Sequence, residues 1–345
     1  MKKIFILLLL PILLYSCTRE KFEAKSENRF LMGTVCILTL YNGESREIFE
    51  GAFEIIEKED LLMSLQKGNS ELSMINRKAG IEAVTVSEDT YQVVETSIYY
   101  SRMTDGAFDP TIAPLVELWG IGADFSGRVP SLESINSMKA LTDYRKVEFS
   151  GTNTLYLLEK GMKIDLGGIA KGYIADKVKE YLLIQGVERA IINLGGNIIV
   201  MGSKPDLQPW KIGIQDPFDT RGNHIGIAEV QDKTIVTSGI YERFFYEDGK
   251  RYHHILDPVT GYPVENDLAS VTIISDKSID ADALSTSLFV LGVEKGLNLI
   301  NMMDDSEAVF VTKDKKVLYS SGADEVFSLY HKDYSLITPD EYLAR

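Results

Sequence analysis

Apolar and polar residues alternate through Arg29–Tyr41, a period of two that predicts a half-buried strand with Met32-Gly33-Thr34 at its start. The period then lengthens. From Ser45 to about Leu65 the apolar residues Ile48, Phe49, Phe53, Ile56, Leu61 and Leu62 fall at helical spacing, with Ser45 placed to cap the first turn. Ser70–Asn76 predicts a short second helix. Ser87-Glu88-Asp89 opens a third that runs to about Met103, and Pro130-Ser131 starts a fourth ending at Leu141. A hairpin-like pair flanks Gly151-Thr152-Asn153. Ile164–Asp176 reads as a strand end, a carboxylate, two glycines and a helix beginning near Ile169 and lasting to about Gln185. Strands dominate afterwards: Ala190–Val200, Trp210–Gln215, Ile225–Val230 and Thr234–Thr237, then a hairpin across Asp248-Gly249. Ala269–Ile274 predicts a strand, Ser278–Leu291 a helix, and Ala308–Thr312 with Lys316–Tyr319 a last hairpin. Helices and strands mix without a steady βαβ rhythm and no internal repeat appears. The expected fold is therefore α+β, a mixed, mostly antiparallel sheet core with flanking helices.

The 345 residues are 45% apolar, ample for a large core. The first 17 stand apart from it. Lys2 and Lys3 precede the apolar run Ile4–Leu14, which is shorter than the roughly 20 residues that span a bilayer. The run ends in Leu14-Tyr15-Ser16-Cys17, similar to the lipobox of bacterial lipoproteins, though Tyr15 is bulkier than that pattern usually allows. Residues 1–17 are thus expected to be a lipoprotein signal peptide ending at a lipidated Cys17, the alternative being an ordinary signal peptide cut near Ser16. Residues 18–28 are polar and charged, an expected tether, and 29–345 form the folded domain. Beyond the leader, 34 Lys and Arg face 51 Asp and Glu, a net charge of −17. So acidic a surface argues against nucleic acid but leaves room for a phosphate ligand held with a divalent cation. Cys36 is then the one remaining cysteine, a small buried hydrophobe with no disulfide partner.

Candidate chemistry sits at few places. In Ile164–Asp176 the glycines allow close backbone approach to a ligand, and the helix N-terminus offers unpaired N–H groups to an anion. Lys171 lies in the first turn against the helix dipole, tolerable if it faces a bound polyphosphate; a plain strand–turn–helix corner is the alternative. Asp282 and Thr286 are four apart on one helix face and offer hard oxygens suited to Mg²⁺, whereas Asp280 points elsewhere. A first-turn acid stabilised by the dipole explains the same spacing. In Tyr252–Gly261 the adjacent His253 and His254 point to opposite faces of a strand, so at most one enters a given pocket. Four histidines in the chain argue against a His-built metal site and for acid–base or hydrogen-bonding work, or for a polar strand end before an Asp-Pro turn. Gly106-Ala107-Phe108-Asp109 either wraps a ring or packs Phe108 into the core, and Asn193–Asn197 is a bulge or a close backbone approach. No dinucleotide fingerprint, Walker A sequence or Gly-x-Ser-x-Gly elbow is present.

In their joint order these pieces resemble the ApbE family of FAD:protein FMN transferases, also described as flavin-trafficking lipoproteins. The resemblance runs from Met32-Gly33-Thr34 through Ser70–Asn76, Gly106–Thr111, Pro114-Leu115, Trp119-Gly120, Asp165–Asp176 and Asn193–Asn197. It continues through Thr237–Arg243, His254–Pro258, Gly261-Tyr262-Pro263 and Ala281–Thr286. It implies FAD contacts at Met32, Ala107, Phe108, Asp109, Asp165, Lys171 and Ile255, and a Mg²⁺ held by the Gly168 carbonyl, Asp282 and Thr286 with Ser285 nearby. The implied reaction moves FMN from FAD onto a Thr or Ser hydroxyl of a target protein and releases AMP, with His254 the candidate base and Asp257 orienting it. Water in place of the acceptor gives FAD pyrophosphatase activity; a non-enzymatic flavin-binding lipoprotein is the third reading. Implied partners are periplasmic or membrane-associated acceptor proteins of redox complexes. The implied location is the bacterial cell envelope, with the domain periplasmic and lipid-anchored through Cys17. Where the family often has an aromatic residue four places before Ser70, this chain has Gln66. Ser320–Asp324 is similar to the sequence such enzymes modify but ends in Asp, so it is read as a turn with no self-flavinylation.

Overall fold

A computed structural model describes residues 24–43, 45–122 and 127–344. The leader ending at Cys17, and residues 18–23 of the expected tether, lie outside them. The core is a nine-stranded sheet in the order β1 (Lys25–Leu31), β2 (Thr34–Leu40), β6 (Ala190–Leu194), β7 (Asn197–Met201), β10 (Thr234–Gly239), β13 (Leu268–Ser275), β14 (Ser306–Thr312), β15 (Lys316–Tyr319) and β17 (Ser335–Leu336). Every neighbouring pair is antiparallel except β15 with β17. The α+β expectation holds.

Both faces of the sheet are covered, which is why β13 is buried along its whole length. On one face, α1 (Arg46–Met63) and α6 (Ala170–Ile184) pack Phe49, Phe53, Ile56, Ile174 and Val178 onto Leu38, Ile192 and Ile199. The long α7 (Ser278–Ile300) covers β10, β13 and β14 on the same side. Alternate residues of the strands (Val200, Ile235, Ile274, Val309, Val311) face a second sheet of β16 (Phe327–Leu329), β9 (His224–Val230) and β8 (Trp210–Gln215). Beyond α7, the helices α2 (Glu71–Lys78) and α3 (Glu88–Met103) enclose the largest core with the small sheet β3 (Val84–Thr85), β5 (Thr154–Leu157) and β4 (Val147–Ser150). A last cluster gathers α4 (Ala113–Leu118), α5 (Leu132–Lys139) and the hairpin β11 (Phe244–Glu247) with β12 (Lys250–His253) around buried Trp119. The short α8 (Pro339–Leu343) closes the described chain.

Four expectations are corrected. Arg29–Tyr41 is two strands, split by a turn in which Met32 (φ 52°) and Gly33 (φ 69°) are both left-handed, as a two-residue hairpin turn requires. Ala190–Val200 splits in the same way at Gly195 and Gly196 (φ 66° and 99°). The tether is shorter than 18–28, because Lys25–Asn28 pair with Ile37–Leu40 in β1. That strand is an edge with largely exposed side chains, so it needs backbone partners and no apolar pattern. Helix α7, expected to end at Leu291, continues to Ile300, with Gly292 at φ 78° marking a kink where the end was expected.

Candidate functional site

The site forms where the N-terminus of α6 meets the first turns of α7. The expected strand leading into α6 is one isolated bridge, Ile112 with Lys163, after which Asp165 donates its amide to the Pro110 carbonyl at 2.8 Å. The Asp165 carboxylate folds back to accept the Gly167 amide at 2.8 Å. Burial pushes its pKa up, the Lys171 charge partly opposing. No side chain caps α6. Its anion is instead Asp282 from α7, 4% exposed, whose Oδ2 accepts the Gly172 amide at 3.0 Å while Oδ1 lies 3.6 Å from Lys171 Nζ. Lys171 also donates to the Gly167 carbonyl at 3.1 Å, so its charge is fixed over the glycine turn.

The two helices cross without a side chain between them. A Cβ at Gly172 would lie 2.1 Å from the Ser278 carbonyl oxygen. From the α6 side, Asp176 accepts the first free amides of α7, Ser278 at 3.0 Å and Ile279 at 2.9 Å. Asp176 and Asp282 therefore clamp the crossing reciprocally. One turn along α7, Ser285 donates to the Asp282 carbonyl at 2.9 Å and meets Ser238 Oγ at 2.8 Å, while Thr286 Oγ1 is 3.4 Å from Ser238 Oγ. Gly168 lies against this group: a Cβ there would be 3.1 Å from Phe108 and 3.5 Å from Thr286 Oγ1. Phe108 is 5% exposed and takes its amide to Thr104 Oγ1, and Ala107 N bonds the Thr104 carbonyl. Buried Asp109 accepts Thr111 N, Thr111 Oγ1 and Tyr144 N, holding the loop to the turn that follows α5; burial raises its pKa to about 6.

The two histidines part as strand alternation requires. His253 is buried, its Nε2 at 3.0 Å from the Val264 carbonyl and its Nδ1 accepting the Ile255 amide. His254 is half-buried, with Nδ1 3.3 Å from the Arg243 carbonyl. Burial chiefly, then the neighbouring His253, pushes its pKa down to about 4, with the Arg243 and Lys171 charges adding to the effect. A carbonyl oxygen only accepts, so Nδ1 carries the proton and Nε2 is left as a free base. Ile255 packs into the core, and its carbonyl accepts the Val264 amide. Asp257 spends Oδ1 on the Val259 amide, shaping the Asp257–Tyr262 turn, and among the described residues no hydrogen bond joins it to His254. Met32 sits in the β1–β2 turn against the α1–α6 cluster. The larger described cavity, about 740 Å³, lies elsewhere, in the acidic surface of α1 beside Tyr181.

Residues 32–310 match the family model described as the ApbE family. The chain belongs to the ApbE family. It is similar to a protein of Klebsiella pneumoniae named FAD:protein FMN transferase, 41% identical over 90% of this chain and 96% of the relative. A Treponema pallidum protein of the same name is 35% identical over 88% and 89% of the two chains. Among solved structures, the Thermotoga maritima ApbE protein aligns with a TM-score of 0.81 at 33% identity, covering 88% of this chain and 99% of that one. The flavin transferase ApbE from Vibrio cholerae aligns at 0.80 with the same identity and coverage.

The donors around Gly168 in this ApbE-family chain are a carboxylate, two hydroxyls and a carbonyl, hard oxygens that fit Mg²⁺ rather than a softer metal. Among the described residues no group of three or more His, Cys, Asp or Glu could hold a metal ion, so a Mg²⁺ held here would have Asp282 as its protein carboxylate. Sequence reasoning left Ser238 and Gly172 out of the site. Ser238 stands in the Thr237–Arg243 motif, a signal available before the fold; the need for Gly172 appears only once α7 lies across it.

Proposed function

We propose that this chain transfers FMN from FAD to a Ser or Thr hydroxyl of an acceptor protein, the activity for which its relatives in Klebsiella pneumoniae and Treponema pallidum are named. The observation that carries this reading is the crossing of α6 and α7, which brings Lys171, the Asp282 carboxylate and the Gly168 turn together beside Thr286. The ammonium of Lys171, fixed over the glycine turn, suits a pyrophosphate, and the Ala107–Asp109 loop, which packs Phe108 against Gly168, would contribute to the FAD site with Asp165. The acceptor oxygen attacks the FMN-side phosphorus, the bond from that phosphorus to the bridging oxygen breaks, and AMP leaves with that oxygen. His254 Nε2 takes the hydroxyl proton; neutral at physiological pH, it is ready to do so. Gly168, Asp282 and Thr286, with Ser285 fixing the turn between them, would hold Mg²⁺. When bound, that ion supplies charge neutralisation on the pyrophosphate.

In-gel flavin fluorescence of a periplasmic redox protein after incubation with enzyme, FAD and Mg²⁺ tests the reading. A labelled acceptor and released AMP are expected. Free FMN and AMP without a labelled acceptor would make the chain a pyrophosphatase, and intact FAD would make it a binding protein.

The leader supports a lipid anchor on Cys17 and a periplasmic domain: a basic start, a short apolar run and the Leu14–Cys17 sequence. Cys17→Ser should move the protein from the membrane fraction to the soluble one, and a variant still membrane-bound would exclude the anchor.

A further inference from the structure

Exposed apolar side chains gather at one end of the main sheet. Lys25, Leu40, Ala190 and Met201 form a single row across β1, β2, β6 and β7. Asn42, two residues past that row, donates its side-chain amide to the Gly186 carbonyl at 3.0 Å and accepts the Glu188 and Arg189 amides. These bonds tie the C-terminal end of α6 to the rim, where Leu183 and Ile184 are 54% and 74% exposed. From the same row β7 leaves into a loop pinned by Trp210, whose Nε1 donates to the Gly202 carbonyl at 2.9 Å. That loop presents Leu207, 70% exposed and left-handed at φ 66°, a conformation unfavourable for leucine. None of the three side chains joins a buried cluster. Exposed leucines scattered singly are ordinary, but three on one rim mark a contact surface.

The start of the chain indicates what this rim meets. From Cys17 to Lys25, where β1 opens, the chain advances eight residues, at most ~29 Å even when fully extended. The nine-stranded sheet alone is ~38 Å across. A lipid on Cys17 therefore keeps this end of the domain nearest the bilayer. Charge does not oppose contact there: Lys25, Arg189 and Lys204 balance Glu188, Asp206 and Asp232 on the rim, in a chain of net charge −15. We propose that Leu183, Ile184 and Leu207 rest in the headgroup region of the bilayer that holds the anchor, so that the domain stands on this rim. The inference rests on lipidation of Cys17. Lys171 lies thirteen residues from Ile184 along α6, ~20 Å of helix, and the Met32 turn is at the far end of β1. Standing on the rim, the domain holds the α6–α7 crossing away from the lipid, on the side that periplasmic acceptors reach.

The test uses the mature lipidated chain in vesicles of phosphatidylethanolamine and phosphatidylglycerol. An environment-sensitive fluorophore is attached through Ile184→Cys, through Leu207→Cys and, as a control at the opposite end of the sheet, through Phe30→Cys. Phe30 is 74% exposed, and Cys36 is fully buried and does not compete for the label. Brominated lipid should quench the labels at 184 and 207 about threefold or more above the label at 30. Leu183→Asp/Ile184→Asp should bring the label at 207 down to the control, while the protein stays with the vesicles and keeps its urea midpoint. Equal quenching at all three positions, in a chain whose mass shows the lipid on Cys17, would overturn the rim contact and leave the anchor standing. A blue-shifted label at 184 that brominated lipid does not quench would also overturn it, giving the rim to a second copy of the chain. A Cys17 without lipid, seen in the mass of the purified protein before any labelling, removes the anchor and the proposal together.

Discussion

Replacing Gly172 by Ala sets two effects of opposite sign against each other. Inside a helix Ala is more favourable than Gly by ~1 kcal/mol, so propensity alone predicts a more stable protein. The crossing of α6 and α7 predicts the reverse. A Cβ at this position would lie 2.1 Å from the Ser278 carbonyl oxygen, 2.6 Å from its carbon and 2.7 Å from Ile279 Cα, all backbone atoms that no rotamer change can move. Ordinary contact starts near 3.4 Å, so the helices must part by about 1.3 Å at this point. The bonds across the crossing are now 2.9–3.0 Å long: Gly172 to Asp282, and Ser278 and Ile279 to Asp176. An opening of ~1 Å takes them past hydrogen-bond range. Bonds to charged groups contribute ~1.5–3 kcal/mol each, so losing one already outweighs the propensity gain, and the expected net destabilisation is about 2–5 kcal/mol. Activity should fall further than stability, by roughly 100-fold, because Lys171 and Asp282 separate by the same displacement. Urea unfolding and in-gel flavin fluorescence measure the two effects, with Gly68→Ala as control, since nothing lies within 4 Å of a Cβ there. A Gly172→Ala protein that is as stable as wild type and transfers flavin at its rate would refute the lock.

With His254 pushed down to about 4, the rate against pH should hold to well below 6 and fall only as pH drops through about 4; an acid limb near 6.5 would mean that a different group is the base. Replacing His254 by Ala should cost ~10²–10⁴ in transfer rate with little change in FAD affinity. Asp282→Asn should abolish most transfer and move its Mg²⁺ dependence to higher concentration; a wild-type Mg²⁺ titration would remove Asp282 from the ligand set. Asp109 is raised to about 6 in the fold, so its contribution to stability is complete below ~4 and is lost as pH rises through 6, a change on the order of 3 kcal/mol. The unfolding free energy of Asp109→Asn should therefore vary less between pH 4 and 7 than that of wild type, and an identical slope would contradict the assignment.

What the sequence disclosed depended on how local the cause was. Ser45, Ser70, Ser87 and Ser131 were readable as helix starts because capping involves only the next three residues, and each accepts the expected amide. The turn at Met32-Gly33 was not, since alternation continues on both sides of it and Met at positive φ is uncommon. The edge strand β1 looked like a tether because its side chains are polar and its hydrogen bonds invisible in composition. Alternation shows that His253 and His254 part to opposite sides, but the burial of His253 against Val264, Ile255 and Phe289 follows only from the fold. The pairing of Lys171 with Asp282 joins distant parts of the chain, and no local pattern contains it.

The two glycines before α6 do not form a bare anion cradle. The α6 N-terminus already holds an anion, the carboxylate of Asp282, and Lys171 leans over the same group. A ligand phosphate at this point therefore meets Lys171 from one side and a protein carboxylate from the other. Lys171 alone cannot make that junction attractive to a pyrophosphate, because Asp282 cancels its charge at 3.6 Å. A divalent cation held by Asp282 would reverse the balance, since it would neutralise the carboxylate and supply positive charge for the pyrophosphate. On this reasoning FAD affinity, and not only turnover, should depend on Mg²⁺. Asp282→Asn should weaken that dependence by removing both the repulsion and its remedy. Fluorescence titration of FAD with and without EDTA measures it. Equal affinity in both conditions would mean that Lys171 and the glycine turn bind the pyrophosphate without the metal's help.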